Sequence, residues 1–385
     1  MPDREALEVA TTESAVVVII GGGVVGLSIA WRACARGMSA VVLDAGEVAH
    51  GASRHAAGMI APVAEVAPAE EPLLELGMRS AGLYPGFIAA LREDIGGAEV
   101  GYTRCGTLMV ARDGDEAEAL ERERALREEH GLTVARLAPS EARRREPALA
   151  PALRAALDLP DDHAVDPRSL CAALATAIER RGGAVRAHSP VGAVHAGEVR
   201  LADGSRVTAG TVVLATGAGG PSLEGVGEPV PLRPVKGQIM RLHDPDTDPT
   251  RPLLTRVIRF APTYVVPRGD GRYVIGGTSE ERGLDTTVTA GAALELLREA
   301  AELVPGISEL VIDEFTAGIR PGTPDNLPAI GPASVPGVWW ATGHYRGGVL
   351  LAPATAELLV DALCGEPLDP LLASFDPSRL WSLVR

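Results

Sequence analysis

The run from Val16 to Asp44 limits what this chain can fold into more than any other stretch. Val16–Ile20 is apolar at every position, so a strand here is buried on both faces, as parallel strands are between two helical layers. Gly21, Gly23 and Gly26 follow at G-x-G-x-x-G spacing. The first glycine allows a sharp turn, the second lets a pyrophosphate reach the backbone, and the third brings helix and strand together. Val24 and Val25 open the helix, whose free N–H groups and positive dipole end face the phosphates. A second apolar strand, Ser39–Leu43, ends on Asp44, 18 residues after Gly26. That is close to the ~20 residues at which a carboxylate reaches a ribose hydroxyl. The carboxylate disfavours a 2′-phosphate, so NAD or FAD is expected and NADP is not. Val16–Ala35 also has the length of a membrane span. Four glycines and an arginine interrupt it and another apolar strand follows, so no transmembrane helix is expected.

The 385 residues allow two domains and a large core. A formal net charge of −15 argues against nucleic acid or an anionic membrane as partner. The four cysteines are scattered and three sit in helical patterns, which suggests reduced core residues and neither a disulfide framework nor a metal site. Met1–Ser14 is charged and lacks an apolar core, so no secretory signal is expected and cytoplasmic is the default.

Residues 73–146 read as helical and charged, broken by a strand-like run at 102–111; Glu116–His130 reads as a surface helix ending at Gly131. Asp166-Pro167 marks an N-cap and first turn for a helix over 168–181. Strands are expected at 184–187, 192–201 and 211–214, then at 238–243, 256–260, 263–267 and 272–278. A helix over 290–303 follows, and a glycine-rich turn at Gly343–Gly348 opens a helix over 351–363.

Several motifs now converge. After Asp44 and Ala45 comes a loop of small residues with polar side chains, through Ser53, Arg54, His55, Ala57, Gly58 and Met59. Small residues suit a loop whose backbone lies against a flat cofactor. The loop resembles the flavin-contacting segment of the D-amino-acid-oxidase-like (DAO) family of FAD enzymes, most of all its bacterial glycine-oxidising branch, which serves thiamine biosynthesis. Similar joins occur at Asp166-Pro167, at Ala215-Thr216-Gly217-Ala218, at Pro234-Val-Lys236-Gly237, at Gly318-Ile-Arg320-Pro-Gly-Thr323 and at Gly343-His344-Tyr345-Arg346-Gly347-Gly348. The resemblance runs from residue 15 to about 375. It implies an α/β fold: a Rossmann-type FAD-binding domain (14–85, 155–228, 318–375) interleaved with an α+β substrate domain on a mostly antiparallel sheet (86–154, 229–317). By the same resemblance Val191, His344, Tyr345, Val349 and Leu350 join the loop residues as FAD contacts.

Oxidising an amine at Cα needs a hydride acceptor and an anchor for the carboxylate. FAD supplies the first. An arginine best supplies the second, because its planar fork gives two parallel charge-assisted bonds. The resemblance assigns that anchor to Arg320, with Tyr264 adding a hydroxyl to the same oxygens, Arg346 near the amine and flavin edge, and Met59 at the substrate side. Two departures stand out: Pro262 replaces a family histidine, and Gly219-Gly220 replaces a bulkier pair after Ala218. His55 stands where related sarcosine and dimethylglycine dehydrogenases carry a histidine bonded to FAD, so a covalent link through His55 is open beside the expected non-covalent one. The implied reaction is oxidation of glycine or a similarly small amine by O2, giving H2O2, an imine and then oxo acid plus ammonia. The alternatives are a secondary amine such as sarcosine, with O2 or another acceptor, a D-amino or imino acid, and a non-catalytic FAD subunit. Retention of Arg320, Tyr264 and Arg346 together argues against the last. A homo-oligomer, a tetramer by resemblance, is implied.

Overall fold

A computed structural model describes residues 16–68, 70–219, 223–248, 250–260 and 262–383. Met1–Ser14 and Gly220 lie outside the described residues.

The chain is α/β, and Val16–Ile20 stands inside a six-stranded sheet. The order is Ala329–Pro332, Val338–Thr342, Thr211–Leu214, Val16–Ile20, Ser39–Leu43, Ala184–Arg186. All neighbours are parallel except the antiparallel first pair. The chain returns to pair 211–214 on the opposite side of Val16–Ile20 from 39–43, which makes the end of the first strand a topological switch point, where open α/β sheets bind ligands.

The two faces of this strand are buried differently. Val17 and Ile19 pack among helices Val24–Ala35, Glu71–Asp94, Pro167–Arg180 and Gly348–Leu363. Val18 and Ile20 instead meet residues of a three-stranded antiparallel sheet, Val191–His195, Glu198–Leu201 and Arg206–Thr208. The second cover is therefore β and not helical. Continuous apolar character records burial on both sides, at about 1.5–3 kcal/mol per large side chain, but not what does the burying. The expected single strand over 192–201 is a hairpin that turns through Gly197, at φ 81.

An eight-stranded sheet runs in the order Val311–Gly322, Arg233–His243, Arg272–Gly276, Thr263–Pro267, Val257–Phe260, Thr107–Ala111, Ala155–Leu159, Ala135–Leu137. It is antiparallel except where 257–260 meets 107–111. Helix Ala290–Leu303 covers it through Leu296, Ala300 and Leu303. The chain leaves this sheet after Leu159 and after Gly322, slightly beyond the expected boundaries at 155 and 318. Val311–Gly322 is the main surprise. A run rich in glycine and proline at its end forms 12 residues of strand, because Arg233–His243 pairs with it along the whole length. Long-range pairing outweighs local propensity here.

The C-terminal helix starts at Gly348, three residues before the expected Leu351. Pro353 inside it has no N–H to offer the carbonyl one turn back. The Tyr84 hydroxyl, fully buried, donates to Val349 O at 2.6 Å in its place. Ser80 Oγ donates to Leu350 O at 2.6 Å. These two bonds fix the glycine-rich turn against helix Glu71–Asp94. All four cysteines are free; Cys34 and Cys171 are buried as expected, but Cys105 is half-buried and Cys364 exposed. Among the described residues no helix is long and apolar enough to cross a membrane.

Candidate active site

A continuous cavity opens at the switch point. Its lining runs from Gly21, Gly23 and Asp44, past Ser53, His55 and Gly58, to Tyr264, Arg320 and Arg346. The first turn needs its glycines. Gly21 has φ 111, and a Cβ on it would lie 2.3 Å from Ala215 O. A Cβ on Gly26 would lie 2.0 Å from Gly21 O, so this residue brings helix and strand together. The amides at the helix start are not all free: Val24 N donates to Ser53 Oγ at 2.9 Å. Asp44 caps the same turn, its carboxylate accepting from Gly22 N at 2.8 Å and Gly46 N at 2.9 Å. It still lines the cavity, and two hydrogen bonds leave a carboxylate with lone pairs for a hydroxyl.

The middle of the wall is the 53–59 loop. Ser53, His55, Ala57, Gly58 and Met59 line the cavity with Val24, Val25, Thr216 and Gly217. The His55 ring packs over Gly318, where a Cβ would come within 2.6 Å of the imidazole-bearing carbon. Burial, and then Arg241, Arg168 and Arg54 nearby, push His55 down to about 4, so its ring is neutral. Not every expected contact is here. Gly26, Ala45, Arg54, Val191 and Ala218 are not among the lining residues. Ala45 is exposed, Arg54 faces Glu314 at 3.7 Å, and Val191 packs under the three-stranded sheet. Each is next to a lining residue or strand end in sequence.

The far end brings together residues from four distant stretches. Arg320 Nη1 donates to Thr278 O at 2.9 Å and to Lys236 O at 3.4 Å. The guanidinium lies over Gly237, where a Cβ would come 2.3 Å from Nη2. Tyr264 pairs across the strands with Gly276, and its hydroxyl would meet a Cβ there at 2.4 Å. Burial pushes the Tyr264 hydroxyl up, while Arg320 opposes that shift. Gly237 and Gly276 are thus the spaces that admit the two side chains. Opposite stands the 343–350 turn. Tyr345 N donates to Pro321 O at 3.0 Å, and Arg346 stacks 4.8 Å from the Tyr345 ring centre. Arg346 is exposed, at the mouth. His344 is buried and bonded to Thr355 at 3.1 Å; burial pushes it down to about 4.

Three buried polar atoms on this wall, Thr216 Oγ1, Thr342 Oγ1 and His55 Nδ1, have no hydrogen-bond partner among the described residues. Buried polar groups are rarely left so, and a bound ligand with polar edges would satisfy them. The profile of the DAO family, FAD dependent oxidoreductases, matches residues 17–362. This chain belongs to that family. Its cofactor is FAD, and the glycine turn, Asp44 and the unpartnered wall atoms fit it. The bifunctional protein ThiO/ThiG of Trichormus variabilis is 35% identical over 94% of this chain, which spans 55% of that relative. The chain thus covers about half the length of the first curated relatives it matches. The glycine oxidase of Geobacillus kaustophilus is 35% identical over 90% of this chain and 92% of its own. The solved structure of that enzyme has a TM-score of 0.87, with 95% of this chain and 99% of that one covered. The iminodiacetate oxidase of Chelativorans sp. BNC1 is 28% identical at a TM-score of 0.83, with 94% of this chain and 98% of that one covered.

Glu65 is a charged cavity residue that the sequence alone did not single out. Glu65 lines the far end, donated to by Arg259 at 2.6 Å and lying 3.6 Å from Arg346 Nε. The usable signal was faint: one glutamate in an otherwise apolar turn after Met59.

Proposed function

We propose that this chain is an FAD-dependent amine oxidase whose substrate is glycine or a similarly small amine. Glycine, O2 and water are converted to glyoxylate, ammonia and H2O2. The observation that carries the reading is the convergence of Arg320 and Tyr264 over Gly237 and Gly276 at one end of the FAD cavity. FAD, when held there, would supply the hydride acceptor for Cα and the route of both electrons to O2. Arg320 holds the substrate carboxylate in a bidentate pair. Its other edge is tied to Thr278 O and Lys236 O, so the fork is held before substrate arrives. Tyr264 donates to the same carboxylate. Arg346 and Met59 close the side facing the cofactor. The part built on the six-stranded sheet holds FAD and the eight-stranded sheet presents the substrate residues.

A role in thiamine synthesis, favoured by the likeness to ThiO/ThiG, and a tetrameric, cytoplasmic enzyme belong to this reading. A secondary amine is the second reading. Pro262, exposed beside Thr263, offers no polar side chain where the family resemblance expects a histidine, and the likeness to an iminodiacetate oxidase points the same way. Peroxide release from the purified holoenzyme with glycine, sarcosine, D-alanine and D-proline separates these readings. Bound FAD with no turnover of any would end the oxidase reading.

A further inference from the structure

The substrate end of the cavity carries more positive charge than one carboxylate needs. Arg320 and Arg346 line it, and Arg259, just outside the lining, is the cross-strand partner of Tyr264, so Arg259 and Tyr264 project from one face of the sheet. A single acidic side chain answers Arg259 and Arg346. Glu65 Oε1 accepts from Arg259 Nη1 at 2.6 Å, and Oε2 lies 3.6 Å from Arg346 Nε. Arg259 and Glu65 are partly shielded, to about a quarter exposure, while Arg346 is half exposed at the mouth.

The position of Glu65 is built from behind. Glu65 N donates to Ala61 O at 3.0 Å, closing its turn. Val63 N and Ala64 N both donate to the carboxylate of Asp162, which is fully buried, at 3.0 and 2.6 Å. Arg127, also fully buried, donates to Ala64 O at 2.9 Å. Two buried charged side chains therefore hold Val63 and Ala64, and the turn carries the Glu65 carboxylate into the cavity lining. Glu70, the other glutamate of the lining, accepts from Asn326 Nδ2 at 3.2 Å and makes no ion pair with Arg259 or Arg346 among the described residues.

We propose that Glu65 is a specificity-determining residue: it occupies Arg259 and Arg346 and so excludes amines that carry a second carboxylate. This rests on the amine oxidase reading above. With the first carboxylate on Arg320, a second one on a dicarboxylic amino or imino acid would be brought against the Glu65 carboxylate. Like charges placed together at a shielded site are the usual device for rejecting the wrong partner. Glycine and sarcosine, with one carboxylate each, never meet Glu65. Neutralising Glu65 leaves Arg259 and Arg346 unpaired and turns the same place into a second carboxylate anchor.

The test reads ligand binding apart from turnover. Perturbation of the flavin absorption spectrum of the oxidised holoenzyme is titrated with acetate and with malonate, in the wild type, Glu65→Gln and Glu65→Ala. The wild type is expected to bind acetate roughly tenfold more tightly than malonate, and each variant to shift the malonate-to-acetate ratio of Kd by roughly tenfold toward malonate. Peroxide assays with glycine and iminodiacetate on the same proteins should show the matching shift in kcat/KM. Equal binding of acetate and malonate by the wild type overturns the inference even if neither variant folds. So does an unchanged ratio in variants that retain FAD. A wild type that discriminates as expected but oxidises no amine leaves Glu65 in this role and refutes the oxidase reading instead.

Discussion

The Arg320 guanidinium occupies the space above Gly237 that any side chain at 237 would take, at 2.3 Å from Nη2 to a would-be Cβ. What would be displaced is the flexible tip of an arginine and not backbone, so the fold can absorb the change while the anchor cannot. Gly237→Ala is expected to lower kcat/KM for glycine roughly 10- to 100-fold, mostly through KM, with FAD content and melting temperature near the wild type. An unchanged KM would mean that Arg320 does not hold the substrate from this position.

Gly26 presents the opposite case. A Cβ there would lie 2.0 Å from Gly21 O and 3.1 Å from the Ile19 side chain, and neither can step aside. Gly26→Ala should cost roughly 1–3 kcal/mol or more of stability through overpacking and strip FAD from the purified protein. Denaturant unfolding together with the flavin-to-protein absorbance ratio checks both halves. A stable variant with full FAD would show that helix and strand separate more easily than the contact implies.

Buried His344 gives the fold a pH dependence of known sign. Its native pKa of about 4 lies below the ordinary 6.5, so the native state favours the neutral ring bonded to Thr355. The unfolded chain takes up a proton first as pH falls, and stability is lost between roughly pH 6.5 and 4. Between pH 8 and pH 5 this one residue should remove about 2 kcal/mol. His344→Gln keeps a polar partner for Thr355 without the titration. Unfolding free energies at both pH values should show the wild type losing about that much more than the variant; equal losses would contradict the burial argument.

His55 bears on how FAD is held. Its ring is packed over Gly318, neutral, with Nδ1 buried and unpartnered among the described residues. Non-covalent binding is the expected outcome, so acid precipitation should release all the yellow colour into the supernatant. Colour retained in the pellet, and lost from it in His55→Ala, would establish the covalent link instead.

The two ends of the site were unequally legible in the sequence. Val16 to Asp44 is a local signal: turn, helix start and acidic strand end lie within 29 consecutive residues, and the structure reproduces their geometry. The substrate end is non-local. Arg320 and Tyr264 could be named through family resemblance, but the reason they converge is the pairing of Val311–Gly322 with Arg233–His243 and of Thr263–Pro267 with Arg272–Gly276. Gly237 and Gly276 look like ordinary strand glycines until that register is known. Glu65 escaped for the same reason, since Arg259 and Arg346 are 194 and 281 residues away in the chain. Ala45, Arg54, Val191 and Ala218 are near lining residues or strand ends in sequence without themselves lining the cavity.

The central claim is that a small amine anchored on Arg320 reduces the bound FAD. Anaerobic mixing of the holoenzyme with glycine tests it without depending on the electron acceptor. The flavin absorbance near 450 nm should bleach in the wild type and stay unbleached at the same glycine concentration in Arg320→Ala, with FAD content equal in the two proteins. A wild type that remains oxidised with glycine, sarcosine, D-alanine and D-proline would contradict the claim, as would an Arg320→Ala protein that is reduced as readily as the wild type.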